Sequence, residues 1–169
     1  QPASWLVRTV AERIEGEVVA IDGKTARRSM VGAGNRGPIH LVNASAIANQ
    51  LVLGQVLTSE KSNEITAIPE LLRVLDLAGC IVTIDAMGCQ KAIAKDIVDK
   101  DAHYVLALKD NHPNLHQEVR GFFDDGILTG FDGIQHDVHV EETRGHDRDE
   151  GRRVWTSSEL DWLPEAEDW

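Results

Sequence analysis

Two aspartates follow short apolar runs, and their positions suggest metal chemistry. Asp22 follows EVVAI and precedes Gly23, and Asp85 follows CIVTI. A β-branched run that ends at Asp-Gly predicts a strand followed by a turn. Two carboxylates a few ångströms apart repel each other unless a cation lies between them. Mg²⁺ prefers oxygen ligands and takes one or two carboxylates plus phosphate oxygens. The pair therefore predicts a metal site for phosphodiester chemistry, with Mn²⁺ able to replace Mg²⁺.

Two other interpretations of these aspartates stay open at this point. An aspartate at a strand end is often only a turn former or a helix cap. A haloacid-type phosphatase also places an aspartate at a strand end before a loop. Such enzymes usually carry a second aspartate two residues later, where this chain has Lys24. The spacing alone does not decide among these interpretations.

The elements around the aspartates predict an α/β fold. Apolar runs at 39–47 and 51–58 are joined by a short link that contains Asn49-Gln50, which predicts a hairpin. After them the apolar spacing alternates between helical and strand-like. The later predicted elements are a helix at 63–77, a strand at 80–84, a helix at 91–100, a strand at 103–108 and a helix at 114–123.

Three antiparallel strands followed by alternating helices and strands are typical of a ribonuclease-H-like mixed sheet. In that topology the strand before Asp22 lies parallel to the strand before Asp85, so both carboxylates meet at one sheet edge. We expect a lead-in helix over 1–16, the catalytic core over 17–125, and the start of a small β-rich insertion over 126–169. The rest of the core is expected beyond the chain end, and the missing initiating Met predicts a fragment.

The acidity of the chain lies mostly near its C-terminus. The net charge is -11, yet residues 1–60 carry six basic side chains against five acidic ones. Residues 121–169 carry four against fourteen. Local patches matter more than the total charge because salt screens distant charges. The composition argues against indiscriminate DNA binding but leaves room for a basic face beside the aspartates.

Composition also bears on location. No apolar run reaches the roughly 18 residues of a membrane span. The two cysteines, Cys80 and Cys89, suit neither a disulfide framework nor a zinc site. We therefore expect a cytoplasmic protein with reduced cysteines and no membrane partner.

Several segments together resemble the ISAs1-type, or H-repeat-associated, insertion-sequence transposases over roughly residues 5–165. They are AIDGKTARRS, HLVNASA, LVLGQVLTSEKSNEITAIPELL, IVTIDAMGCQKAIAKDI and YVLALKDNHPNLHQEV. The resemblance implies a DDE catalytic triad, Mg²⁺ dependence, and transposition acting on double-stranded DNA at element terminal repeats and target. It also implies a homodimer in the DNA complex and action at the nucleoid.

The resemblance assigns two of the three acidic residues. The first family aspartate matches Asp22 in IDGK, and the second matches Asp85 in IDAMG. The third acid of the family lies in a helix with a His-Trp-x-Ile-Glu pattern, which does not occur before Trp169. Glu150, in GHDRDEGRR, is the alternative third ligand. A truncated or decayed remnant that folds and binds DNA without cleaving it is the alternative function.

Other polar residues are candidates for binding DNA phosphates. Each has a simpler interpretation as a solvated loop, a helix cap or a charged hairpin. The candidates are Lys24, Arg27, Arg28, Lys61, Lys109, Asn111, His146, Arg148 and Arg152.

Overall fold

The computed structural model describes residues 16–26, 39–58, 64–144, 149–163 and 169. The predicted lead-in helix and the segment 27–38, with the candidates Arg27 and Arg28, lie outside these residues. In chain order the described elements are β1 Val18–Ala26, β2 Ile39–Ala46, β3 Leu51–Thr58, α1 Glu64–Val74, β4 Ile81–Ile84, α2 Lys91–Val98, β5 His103–Leu106, α3 Pro113–Thr129, β6 His136–Arg144 and β7 Asp149–Ser157.

Five strands form one mixed sheet in the order β3-β2-β1-β4-β5. β1, β2 and β3 pair antiparallel, whereas β4 pairs parallel with both β1 and β5. The turn between β2 and β3 is tight, and Gln50 has a φ of 53° there. This arrangement confirms the predicted mixed α/β sheet, which is consistent with a ribonuclease-H-like fold.

The core lies where α1 and α2 cover one face of this sheet. Alternate strand residues point to opposite faces, and Val19, Ile21, Val82 and Ile84 are buried on the covered face. The helices bring Leu71, Leu72, Ile93 and Ile97 to the same cluster, among other residues. The helix-covered face therefore fixes the register of β1 against β4, because a one-residue slip would expose these side chains.

Three predicted boundaries are wrong, and one of them is the end of α3, which reaches Thr129 instead of residue 123. β1 does not turn at Asp22-Gly23 but continues to Ala26. It continues because β2 is long enough to pair with residues 22–26, from Asp22 opposite Asn43 to Ala26 opposite Ile39. α1 ends at Val74 instead of reaching the predicted end at residue 77, before Gly79. Gly79 has a φ of 74° and bonds its N–H to the carbonyl of Asp101, so it belongs to the turn before β4.

The chain divides into two compact units, Gln1–Asn111 with Trp169, and His112–Asp168. The second unit contains α3 and the antiparallel β6–β7 hairpin, which confirms the predicted small β-rich element. Aromatic rings pack within it: Phe122 stacks on Trp162 at 4.3 Å, and Phe131 stacks on His136 at 4.4 Å. The predicted boundary of the catalytic core at residue 125 stays a prediction.

The helices in the described part of the chain are too short or too polar to cross a membrane.

Candidate active site at the edge of the sheet

Asp22 and Asp85 occupy equivalent positions on neighbouring parallel strands. The last paired residues of β1 and β4 are Ile21 and Ile84, and each aspartate is the next residue in its chain. Neighbouring strands lie about 4.8 Å apart. The structure therefore places the two backbones one strand spacing apart at the carboxyl end of β4.

The two aspartates also share a face of the sheet. Ile21 and Ile84 are buried on the helix-covered face, and the next residue of an extended strand points to the other face. Asp85 is still extended, with φ −70° and ψ 177°, so the alternation holds at this residue. Both aspartates are exposed. The two carboxylates thus leave the sheet on the same face, opposite the face that α1 and α2 cover.

A tight turn holds Asp85. The chain forms a short 3-10 helix at Ala86–Gly88 directly after it, and the Met87 N–H donates to Asp85 Oδ1 at 3.1 Å. Gly88 is buried in this turn, and a Cβ there would lie 2.3 Å from Ile84 Cγ2 and 3.0 Å from Ile68 Cδ1. Only glycine lets the turn pack this closely against the core. The orientation of Asp85 therefore depends on the turn.

Asp22 is held differently, inside an unbroken strand. It lies opposite Asn43 of β2. Asn43 is only 7% exposed, and its Oδ1 has no hydrogen-bond partner among the described residues. The sequence-based prediction did not include Asn43, although an amide in the middle of the apolar run IHLVNASAI was a visible signal.

Three of the predicted phosphate-binding residues lie near this edge in the same unit. Lys24 is two residues beyond Asp22 on β1, so it points to the same face. The Asn111 carboxamide donates from Nδ2 to the Ala86 carbonyl at 2.6 Å and accepts from the Lys109 N–H at 3.3 Å. Lys24, Lys109 and Asn111 are exposed.

Two of the remaining predicted residues belong to the second unit. Glu150 is in register with Thr143, and Arg152 is in register with Glu141 on the β6–β7 hairpin. The others lie outside the described residues: Arg27, Arg28, Lys61, His146 and Arg148.

The carboxylate oxygens at this edge of the sheet are the kind of ligand atom that a hard divalent cation prefers. Asp22 and Asp85 offer only oxygen, and the second oxygen of Asp85 accepts no hydrogen bond from a described residue. Oxygen-only ligation on one face suits Mg²⁺ or Mn²⁺. Within the described ranges, no third His, Cys, Asp or Glu joins other such side chains in a metal-binding group. The third acidic ligand therefore stays a prediction.

Comparison with known proteins decides the family. The family model described as "Transposase DDE domain" matches residues 14–161, which is most of the chain. The chain belongs to the DDE transposase family. Members of this family generally use divalent metal ions, in agreement with the oxygen ligands at the sheet edge. The match confirms the resemblance found in the sequence and gives no support to a haloacid-type phosphatase.

Individual relatives agree with this DDE transposase assignment. YncI of Escherichia coli O157:H7, whose name assigns it provisionally to the transposases, is 48% identical over 141 residues, covering 83% of this chain and 35% of YncI. YhhI of Escherichia coli K12, similarly named and H repeat-associated, is 43% identical over 136 residues. This match covers 80% of this chain and 35% of YhhI. A Xanthobacter autotrophicus protein described as uncharacterised, in the dhlA 3′ region, is 42% identical over 165 residues. This match covers 93% of this chain and 52% of that protein. This DDE transposase chain spans between about a third and about half of the length of these relatives.

Proposed function

We propose that this chain provides the first two metal ligands of a DNA transposase active site that cleaves and rejoins phosphodiester bonds at the ends of an insertion sequence. The observation that carries the proposal is the register of β1 and β4, which brings Asp22 and Asp85 to one edge and one face of the sheet. Membership of the DDE transposase family supports the same chemistry. Mg²⁺ is the proposed metal, with Mn²⁺ as its substitute.

Asp22 and Asp85 would hold the metal through their carboxylate oxygens. A bound divalent ion lowers the pKa of a ligated water and neutralises charge on a phosphate. The Met87 N–H occupies one oxygen of Asp85 and so fixes the plane of the carboxylate. The first reaction is hydrolysis, in which a water oxygen bonds to phosphorus, the bond from phosphorus to O3′ breaks, and O3′ leaves as a hydroxyl. In strand transfer this hydroxyl oxygen bonds to a phosphorus of the target strand, the bond from that phosphorus to the target O3′ breaks, and the target O3′ leaves as a hydroxyl.

The neighbouring cations would bind the DNA backbone. Lys24 follows Asp22 on the same face, and Lys109 follows β5 at the same edge. Lys and Arg contacts to phosphate position DNA without reading its sequence. Arg27, Arg28, Lys61, His146, Arg148 and Arg152 are proposed as further phosphate contacts. Glu150 is proposed as a third acid, with the His-Trp-x-Ile-Glu helix of the family as the alternative, and a homodimer as the form that acts on double-stranded DNA.

A nicking assay on supercoiled plasmid tests the proposal. We compare the chain with Asp22→Asn, Asp85→Asn and Asp76→Asn. Asp76 is a matched exposed aspartate that lies before β4, at the other end of that strand. We expect nicking that needs Mg²⁺ or Mn²⁺, that is lost in the first two variants and that is unchanged in Asp76→Asn.

Two results would contradict the proposal. Nicking of equal strength in the chain and in Asp85→Asn would remove the two-aspartate mechanism. DNA binding without any metal-dependent nicking would identify the chain as a remnant that binds but does not cleave.

A further inference from the structure

We propose that Asn111 is a positioning residue, whose carboxamide fastens the turn carrying Asp85 to the segment carrying Lys109. The inference rests on the proposed metal site at Asp22 and Asp85. It assigns Asn111 a role inside the protein, whereas the sequence pattern predicted a phosphate contact.

The contacts form a continuous path between the two segments. The Lys109 N–H donates to Asn111 Oδ1 at 3.3 Å, and Asn111 Nδ2 donates to the Ala86 carbonyl at 2.6 Å. Ala86 directly follows Asp85, and the next residue, Met87, donates its N–H to Asp85 Oδ1 at 3.1 Å. Asn111 is therefore two hydrogen bonds away from the carboxylate that the turn orients.

The sheet itself does not hold these segments together at this point. The last backbone bond between them runs from the Ala107 N–H to the Ile84 carbonyl, at 3.1 Å. Beyond that bond, the described residues show no further backbone link between the segment after β4 and the segment after β5. The side chain of Asn111 supplies the next cross-link, where Asp85 leaves the sheet.

An amide suits this position because it donates and accepts at once. The substitution Asn111→Asp would keep the acceptor for the Lys109 N–H but lose the donor for the Ala86 carbonyl. The new carboxylate would also face that carbonyl oxygen and add negative charge close to Asp85. Asn111→Asp is therefore a sharper test than Asn111→Ala, since the shape of the side chain is nearly unchanged.

The first experiment measures Mn²⁺ affinity from the loss of the free Mn²⁺ signal in electron paramagnetic resonance. It compares the chain with Asn111→Ala, Asn111→Asp, Asp85→Asn and the matched control Asn114→Ala, an exposed asparagine in the first turn of α3. Partners that orient metal ligands typically change metal affinity by about 10–100-fold. We expect Asn111→Ala to bind Mn²⁺ about tenfold more weakly than the unaltered chain. Asn111→Asp should bind it at least as weakly as Asn111→Ala, and the affinity of Asn114→Ala should be unchanged.

A second measurement begins with the unaltered chain, so its first part does not depend on a variant that folds. In ¹⁵N-resolved NMR spectra, titration with diamagnetic Mg²⁺ should shift the Met87 amide and the Asn111 carboxamide resonances together. In Asn111→Ala, the Met87 N–H should exchange faster with solvent because the turn is released. Met87 should respond to Mg²⁺ in any case through its own bond to Asp85, whereas an Asn111 carboxamide that served only general stability would not shift with Mg²⁺.

The outcomes separate this inference from the proposed function. If Asp85→Asn weakens Mn²⁺ binding while both Asn111 variants bind like the unaltered chain, the positioning role of Asn111 is wrong and the metal site stands. The positioning role is also wrong if Mg²⁺ shifts Met87 but leaves the Asn111 carboxamide unmoved. If Asp85→Asn binds Mn²⁺ like the unaltered chain, the metal site itself is wrong, and the inference falls with it.

Discussion

The two aspartates reach the same edge of the sheet by different structural means. Asp22 lies inside β1, where the backbone ladder to β2 continues for four more residues to Ala26. Asp85 lies where β4 ends, and a 3-10 turn, the Met87 N–H and the Asn111 side chain orient it. The difference indicates that the sheet sets the position of Asp22, the first proposed ligand, whereas Asp85 can be perturbed locally. Substitutions in the turn should therefore weaken metal binding more than substitutions elsewhere in the sheet that lower the free energy of unfolding by the same amount.

The largest expected effect comes from Gly88→Ala. The added Cβ would lie 2.3 Å from Ile84 Cγ2, a branch methyl that cannot move away easily. Overpacking of this kind typically costs about 1–3 kcal/mol. We expect the free energy of unfolding, measured by urea denaturation, to fall by about that amount, and Mn²⁺ binding to weaken as the turn shifts.

The matched control for Gly88→Ala is Gly121→Ala, because a Cβ at Gly121 of α3 meets nothing within 4 Å. Stability in that control should be unchanged or slightly higher, since alanine favours helices. Equal losses in both variants would show that the close packing of the turn is not the cause.

The next effect concerns Asp22 and its cross-strand neighbour. Asn43 is buried with an unpaired Oδ1 among the described residues, and leaving a polar group in this state costs about 1–3 kcal/mol. Asn43→Leu keeps the branching at Cγ and removes the unpaired oxygen. We expect the free energy of unfolding to rise by about 1 kcal/mol, as measured by urea denaturation. A clear loss of stability would mean that Asn43 makes a favourable contact in solution.

A smaller effect is expected at the opposite end of β1. The Glu17 carboxylate accepts from the Asn49 side chain at 2.8 Å and from the Ala48 N–H. These bonds are exposed, so Glu17→Ala should lower the free energy of unfolding by about 0.5–1 kcal/mol. Mn²⁺ affinity should stay the same, because the change lies at the far end of the strand. A parallel loss of Mn²⁺ binding would contradict a metal site confined to the other edge.

The smallest effect distinguishes the two ends of β4 by the reactivity of two cysteines. Cys80 precedes β4, Cys89 follows the turn, and both thiols are buried. Burial raises the pKa of both thiols, and the negative charges of Asp76 and Glu17 raise that of Cys80 further. Both groups are therefore protonated at neutral pH and react slowly, since the thiolate is the reactive form. Their reaction rates should increase as the pH rises toward these raised pKa values.

Single-cysteine variants measure the two ends separately. With Ellman's reagent, Cys89 in a Cys80→Ala background should react faster than Cys80 in a Cys89→Ala background, because the turn opens locally. Gly88→Ala should accelerate Cys89 more than Cys80. Equal rates in all backgrounds would indicate that both thiols respond only to global unfolding.

Sequence predicted the parts of this site that depend on strand order. The apolar runs before Asp22 and Asp85 are typical of buried strands, and the element order then makes those strands parallel neighbours. The Asp22-Gly23 turn was wrong because pairing with a distant strand, β2, overrides a local turn signal. The sequence predicts only a phosphate contact at Asn111, since its bond to the Ala86 carbonyl joins positions 25 residues apart. A contact between positions so far apart in the chain forms only when the sheet edge has assembled. No local sequence pattern therefore predicts it.

The most direct test of a shared metal site maps the metal on the chain itself. Fe²⁺ bound in place of Mg²⁺, with ascorbate and peroxide, generates radicals that cut the backbone near the ion, and mass spectrometry locates the cuts. We predict cuts close to both Asp22 and Asp85 that Mg²⁺ suppresses, and that both Asp22→Asn and Asp85→Asn abolish at the two positions together. Cuts confined to the acidic C-terminal region, or cuts at Asp22 that persist in Asp85→Asn, would contradict a shared metal site.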